Sequence, residues 1–321
     1  MICLQRTDNP GMSRTQALTR RSRAAIFVAM AGAFAAAESG PPDEDLLAAA
    51  RSGDREASEQ LLARHQPWIL NIARRMLWRK DDAEDATQEI LIKIWKALPG
   101  YRGESAFRTW LYRIAANHIL DMRRRGWDVA SPRRSFDERT RLLADMPDTD
   151  LPDPRTVPVP IEILVREAGI ACTTGVLLCL DGRQRLVFIL GEILGATDQT
   201  GAEIVGVTPA NFRQILSRAR RDLNQYLKGS CSLVEPGNAC KCAKKTRAFL
   251  ERGMLEDGKL QFAADHKRRV RDVVEARSDE LAEAHDIFQS GMFRDHPFYE
   301  SPDAVAMARK ALAALSPDLL S

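Results

Sequence analysis

The densest group of reactive side chains is a trio of cysteines, Cys231, Cys240 and Cys242, spaced Cys-x8-Cys-x-Cys around a Pro-Gly-Asn turn. Thiolates this close in sequence suit a soft ion, zinc or copper(I). Three ligands leave a tetrahedral site one short, and His266, Cys172 or Cys179 could supply the fourth. A redox switch, or thiols that are simply buried or free, are the competing readings. Six cysteines in 321 residues do not make a disulfide framework. Otherwise the chain is poor in catalytic patterns. Ser/His/Asp sets, Cys/His pairs, paired acids and Gly-rich phosphate loops are missing at any useful spacing. His65 sits at helical spacing among Leu61, Leu62, Ile69 and Ile72, which reads as a core-edge or surface histidine rather than a catalytic one.

A second chemistry is basic and polar. Between Pro209 and Leu227, Phe212, Leu216, Ala219, Leu223 and Tyr226 recur on one helical side, while Asn211, Arg213, Gln214, Ser217, Arg218, Arg220 and Arg221 occupy the other. Thr208 is placed as N-cap and Pro209 as the first helical residue, where a missing N–H costs nothing. A short helix over 198–205 and the turn Gly206-Val207-Thr208 precede it, giving a helix-turn-helix layout. Residues near the start of such a second helix reach base edges, and later arginines neutralise phosphates. A solvated face in a helical bundle is the alternative. The net charge of +3 is too small to decide between them.

The elements that position these groups are helical. Asp43 opens a helix, Gly53-Asp54 interrupts it, and 57–77 continues with Leu61, Leu62, His65, Ile69, Ile72 and Met76 inward. The acidic run Asp81, Asp82, Glu84 and Asp85 starts another, as suits the positive end of a helix. It carries Ile90, Leu91, Ile94, Trp95 and Leu98 as one apolar stripe. Pro99-Gly100 ends it, 101–105 is a loop, and a further helix begins near Ser105 and closes on Arg123-Arg124-Arg125. Residues 127–160 carry prolines at 132, 147, 152, 154, 158 and 160 and read as a flexible linker. Helical periodicity returns near Ile161, and no strand pattern is visible. The expected fold is all-α.

The segments Ala83-Glu84-Asp85-Ala86-Thr87-Gln88-Glu89 and Ser105-Ala106-Phe107-Arg108-Thr109-Trp110-Leu111-Tyr112-Arg113-Ile114-Ala115 resemble region 2 of the sigma-70 family in its extracytoplasmic-function (ECF) branch. The helix-turn-helix resembles region 4 of the same family. It departs at Gly201, where an aliphatic core residue is usual, and at Ile215, where a basic residue is usual. The resemblance implies an N-terminal tail over 1–40 and region 2 over 41–126. It then implies the linker, region 4 over 161–228 and a C-terminal extension over 229–321. It also implies a sigma factor that directs core RNA polymerase to promoters and helps open them, with no catalysis and no required cofactor.

Residue by residue, Asp85, Gln88, Glu89 and Lys93 would meet the clamp helices of the largest polymerase subunit. Tyr101, Tyr112 and Asn117 would face the minus-10 element, with Phe107 and Trp110 as further aromatics more readily explained by packing. Melting needs unpaired bases held in pockets and stacked on rings. Arg113, Arg123, Arg124 and Arg125 would take phosphates. Asn211, Arg213, Gln214 and Ser217 would read the minus-35 element, with Arg218 and Arg221 beside them on promoter DNA. An anti-sigma factor stays an open partner, and a membrane is not expected.

The C-terminal extension reads as helices over 244–255, 262–289 and 302–315. Its Cys-x-Cys is similar in placement to cysteine-rich tails that sense metals in some ECF factors, so zinc or copper at Cys231, Cys240 and Cys242 is the expectation to examine. At the other end, Arg20-Arg21-Ser22-Arg23 and the apolar run to Ala37 resemble a twin-arginine export signal. A disordered tail, or a true start nearer Met12 or Met30, agrees better with the rest of the chain, which reads as cytoplasmic. Two rival functions remain: a helix-turn-helix regulator that never engages polymerase, and an exported metal-binding protein.

Overall fold

The computed structural model describes residues 40–77, 79–124, 135–151 and 161–255, with side chains described as far as Met122 in the second stretch. The expected tail before Gly40, Arg125, His266 and the helices expected over 262–289 and 302–315 lie outside those residues, as do the side chains of Arg123 and Arg124. Among the described residues the chain is helical, and its only β-type pairing is an isolated bridge between Cys231 and Cys240.

The first unit is built from α1 (Asp43–Arg51), α2 (Arg55–Met76), α3 (Lys80–Ala97) and α4 (Phe107–Arg124). Gly53, at φ 96°, turns the chain between α1 and α2, and Asp54 caps α2 by accepting from the Ala57 amide at 3.0 Å. Helix α2 packs between α1 and α3, and α3 packs on α4. The expected inward face of α2 is buried throughout, together with Ile90, Leu91 and Ile94 of α3 and Leu111, Ala115 and Ile119 of α4. Helix α4 begins at Phe107 rather than at the expected N-cap Ser105. The Ser105 carbonyl accepts the Tyr101 hydroxyl at 2.6 Å, and the helix starts one residue later than that cap would place it.

The flexible linker expected over 127–160 is corrected in its middle. Phe136–Ala144 forms α5, opened by a capping box in which Ser135 Oγ accepts from the Glu138 amide at 3.1 Å and Glu138 Oε2 accepts from the Ser135 amide at 2.6 Å. Leu143 and Met146 then bury against Ala168, Ala171, Ala248, Phe249 and Leu255. Hydrophobic burial fixes this stretch despite Pro147.

The second unit contains α6 (Ile161–Leu177), α7 (Gly182–Phe188, continued by a π turn over Ile189–Ile193), α8 (Asp198–Val205) and α9 (Pro209–Ser230). Arg185 of α7 is fully buried and donates to the carbonyls of Leu177 (2.9 Å), Leu178 (2.8 Å) and Leu180 (3.2 Å), and to Met76 of α2 at 2.8 Å. One guanidinium thus ties the α6–α7 turn to the end of α2, and α4 packs on α8. Helix α10 (Cys242–Glu251) lies against α6.

Candidate nucleic-acid interface

Helices α8 and α9 build the helix-turn-helix as the residue pattern requires. Thr208 Oγ1 accepts from the Asn211 amide at 3.2 Å, Pro209 sits in the first turn, and Gly206 closes α8 at φ 72°, a conformation that suits glycine. Phe212, Leu216, Ala219, Leu223 and Tyr226 of α9 are buried. Full burial of a ring such as Phe212 contributes about 1.5–3 kcal/mol. The departure at Gly201 has a steric cause: a Cβ there would stand 2.4 Å from the Phe212 ring. Phe212 fills the space that an aliphatic side chain would need.

On the outer side, Asn211, Arg213, Gln214, Ser217, Arg218 and Arg221 are exposed. Arg213 pairs with Asp198 of α8 and Arg221 with Asp222 at 3.4 Å, so both exchange a carboxylate for any phosphate they take. Arg220 does not belong with them, because it pairs with Glu192, which is buried under α9.

The first unit carries its expected residues differently. On α3, Asp85, Glu89 and Lys93 follow one another every four residues and are exposed, with Gln88 half-buried beside them. Lys93 Nζ donates to His118 Nδ1 at 2.6 Å. The Glu89 carboxylate stands 3.1 Å from His118 Nε2 on the other side of the ring. Tyr101 is half-buried, with its ring centroid 5.2 Å from Trp110 and 5.6 Å from Phe107. Asn117 is exposed and Arg113 half-buried on α4.

Tyr112 is a correction. It is 7% exposed, packs edge-on against His65 and tilted against Trp68, and places its hydroxyl 3.4 Å from His65 Nδ1. Burial pushes its phenol above the ordinary range. Its spacing put it on the face that packs against α2, so its ring is not available to a base.

Beneath this surface lies a polar centre that sequence reasoning missed. Asp43, 7% exposed, receives Arg64 at 2.8 Å, His65 Nε2 at 3.1 Å and Arg108 at 3.0 Å. Burial would raise its carboxyl, but the bonds and charges of His65, Arg64 and Arg108 outweigh that and hold it well below the usual carboxylate range. His65 is therefore buried and bonded, a structural histidine. In sequence Asp43 looks like an acid placed for a helix dipole, and nothing local announces partners 21, 22 and 65 residues away.

The cysteines gather at the start of the C-terminal extension. Cys231 ends α9, its bridge partner Cys240 follows the turn, and Cys242 begins α10. Burial raises all three thiols, Cys240 to about 11 and Cys242 to about 12. Among the described residues, no three His, Cys, Asp or Glu side chains already stand in a metal-holding arrangement. No helix among those residues is long and apolar enough to cross a membrane.

Known proteins share the pattern. Residues 61–129 match the family Sigma-70 region 2. The ECF RNA polymerase sigma factor SigM of Mycobacterium tuberculosis is 31% identical over 186 residues, covering 58% of this chain and 84% of that protein. RNA polymerase sigma factor CnrH of Cupriavidus metallidurans is 30% identical over 195 residues, covering 58% of this chain and 96% of that protein. The ECF RNA polymerase sigma factor SigG of M. tuberculosis is 34% identical over 187 residues, 54% of this chain, and the chain spans about half of that relative's length, 48%. A solved structure of CnrH with the cytosolic domain of CnrY aligns with 58% of this chain and 97% of that one, at 26% identity and a TM-score of 0.42. With SigM 31% identical and covered over 84% of its length, and an independent match to region 2, the chain belongs to the ECF RNA polymerase sigma factors of the sigma-70 family.

Proposed function

We propose that this chain directs core RNA polymerase to a set of promoters and helps open them. The observation that carries this reading is the coexistence of two different surfaces on one chain. A helix-turn-helix presents Asn211, Gln214, Ser217 and Arg218 to solvent, as a major-groove reader needs. A separate row, Asp85, Glu89 and Lys93 with Gln88 beside it, lies exposed on α3 and has no use in a simple repressor. In this reading α3 meets the polymerase clamp helices. The rim formed by Tyr101, Trp110, Asn117 and Arg113 holds the minus-10 strand, and α9 reads the minus-35 element. The chemistry is binding alone, and opening draws its free energy from contacts to polymerase and unpaired bases. The chain acts in the cytoplasm, where polymerase and promoters are.

The test is transcription in vitro with core RNA polymerase and a genomic promoter library at low salt, since phosphate contacts weaken steeply as salt rises. Specific transcripts are expected from the wild type, and these should be lost in the double variant Gln88→Ala, Lys93→Ala while promoter DNA binding by α9 persists. DNA binding with no transcript from the wild type would contradict the proposal and favour a regulator that does not engage polymerase.

A further inference from the structure

The exposed row on α3 departs from ordinary helix pairing. Glu89 precedes Lys93 by four residues, the order and spacing at which a carboxylate and an ammonium usually meet directly. Here the imidazole of His118, from α4, stands between them. Lys93 Nζ lies 2.6 Å from its Nδ1, and a Glu89 carboxylate oxygen lies 3.1 Å from its Nε2. The ring itself is 5% exposed, on the side of α4 that also buries Ala115, Ile119 and Met122. Its two neighbours reach solvent: Lys93 is exposed, and the Glu89 side chain is 49% exposed.

The polarity of these contacts fixes the ring. An ammonium has donors and no acceptor, so Nδ1 must offer its lone pair to Lys93. The proton of the neutral ring then sits on Nε2, toward the Glu89 carboxylate, and one tautomer serves both sides. Lys93 uses one of its three donors there, and Glu89 keeps a second carboxylate oxygen, so both retain bonding capacity toward a partner. Long side chains of this kind lose rotamer freedom when a partner orders them, and a side chain already held in place loses less. Consecutive helical residues point about 100° apart, so Asn117 stays exposed on α4 while His118 turns to α3.

We propose that His118 is a positioning residue for polymerase binding. Its buried ring holds Lys93 and Glu89 apart in one arrangement, so that α3 offers core polymerase a fixed cation and a fixed carboxylate one turn apart. The surface that fits is of mixed sign, with an acceptor for Lys93 and a donor for Glu89. The inference rests on the reading of α3 as the polymerase-facing helix.

The test titrates the labelled full chain with core RNA polymerase and follows urea denaturation of the same variants. His118→Leu fills the site without either bond and should weaken polymerase binding about three- to tenfold. The side-chain oxygen of His118→Asn reaches the place of Nδ1 and still accepts from Lys93, so only the exposed Glu89 contact is lost and binding should stay within about twofold of wild type. Stability should rank the two variants the other way, because leucine suits the buried seam better than asparagine. In a Lys93→Ala background, His118→Leu should cause no further loss of binding. Imidazole nitrogen-15 NMR of the wild type gives a reading that needs no folded variant and no polymerase: His118 should be neutral with its proton on Nε2. A proton on Nδ1, binding that follows stability so that asparagine is the worse of the two, or an equal loss from His118→Leu with and without Lys93 would each overturn the inference. Wild type that carries the expected tautomer yet does not bind core polymerase would instead contradict the reading of α3, and the inference with it.

Discussion

In the helix-turn-helix, the residues proposed to reach DNA sit outside a hydrocarbon core, and α9 alternates between Phe212, Leu216 and Ala219 inside and Asn211, Gln214 and Arg218 outside. In the first unit the surface rests on a buried charge. Asp43 holds Arg64, His65 and Arg108, and His65 in turn meets Tyr112 and Phe107. A reader of duplex DNA needs a rigid helix with a free polar side. A surface proposed to trap unpaired bases needs an aromatic rim, here Tyr101 and Trp110, held at a fixed height. The Asp43 centre fixes Arg108 on α4, between Phe107 and Thr109, and so sets that height.

The comparison breaks most visibly at Asp43. Asp43→Asn removes the anion from beneath three cationic or polar partners, and the loss of a buried pair's partner costs about 3–5 kcal/mol. Urea denaturation should show that loss. The sign of the pH effect follows from the depressed carboxyl. Asp43 ionises more readily folded than unfolded, so its stabilisation is complete above the unfolded value of about 3.9 and drains away as the pH falls below it. Wild type should therefore lose stability more steeply in acid than Asp43→Asn does.

In the second unit the corresponding weak point is steric. Gly201→Val places atoms inside the Phe212 ring and should cost about 1–3 kcal/mol by overpacking, read as a lower melting temperature. Outside the core the effect should move from stability to recognition. Gln214→Ala should lose about 1–3 kcal/mol of discrimination at one base pair, while Arg218→Ala should weaken all sequences alike and lower the salt slope by about 1. Both should leave folding stability within about 0.5 kcal/mol, as competition binding and denaturation would show. The smallest effect is expected at Tyr112. Tyr112→Phe removes one long contact to His65, costing about 1 kcal/mol or less, and should leave promoter opening unchanged.

What was legible in the sequence divides along the same line. The helix-turn-helix follows from periodicity, capping and a glycine turn, all local, so Thr208, Phe212 and Gln214 fall where the pattern puts them. The linker helix carried a readable signal in Ser135 and Glu138, but the surrounding prolines masked it, and the apolar partners that fix it lie beyond residue 160. Asp43 and Arg185 were not legible at all, because their partners are brought together only by packing. Tyr112 shows the converse: an aromatic counted toward the DNA surface proves to face the core.

The central claim is that the first unit opens DNA and the helix-turn-helix places it. Permanganate footprinting of a target promoter with core polymerase tests it most directly, comparing wild type with Tyr101→Ala, Asn117→Ala and with Gln214→Ala at saturating protein. The account predicts reactive thymines near minus-10 for wild type and for saturating Gln214→Ala, and protected but unmelted DNA for Tyr101→Ala, Asn117→Ala. Equal melting by all three, or melting lost only in Gln214→Ala, would contradict it.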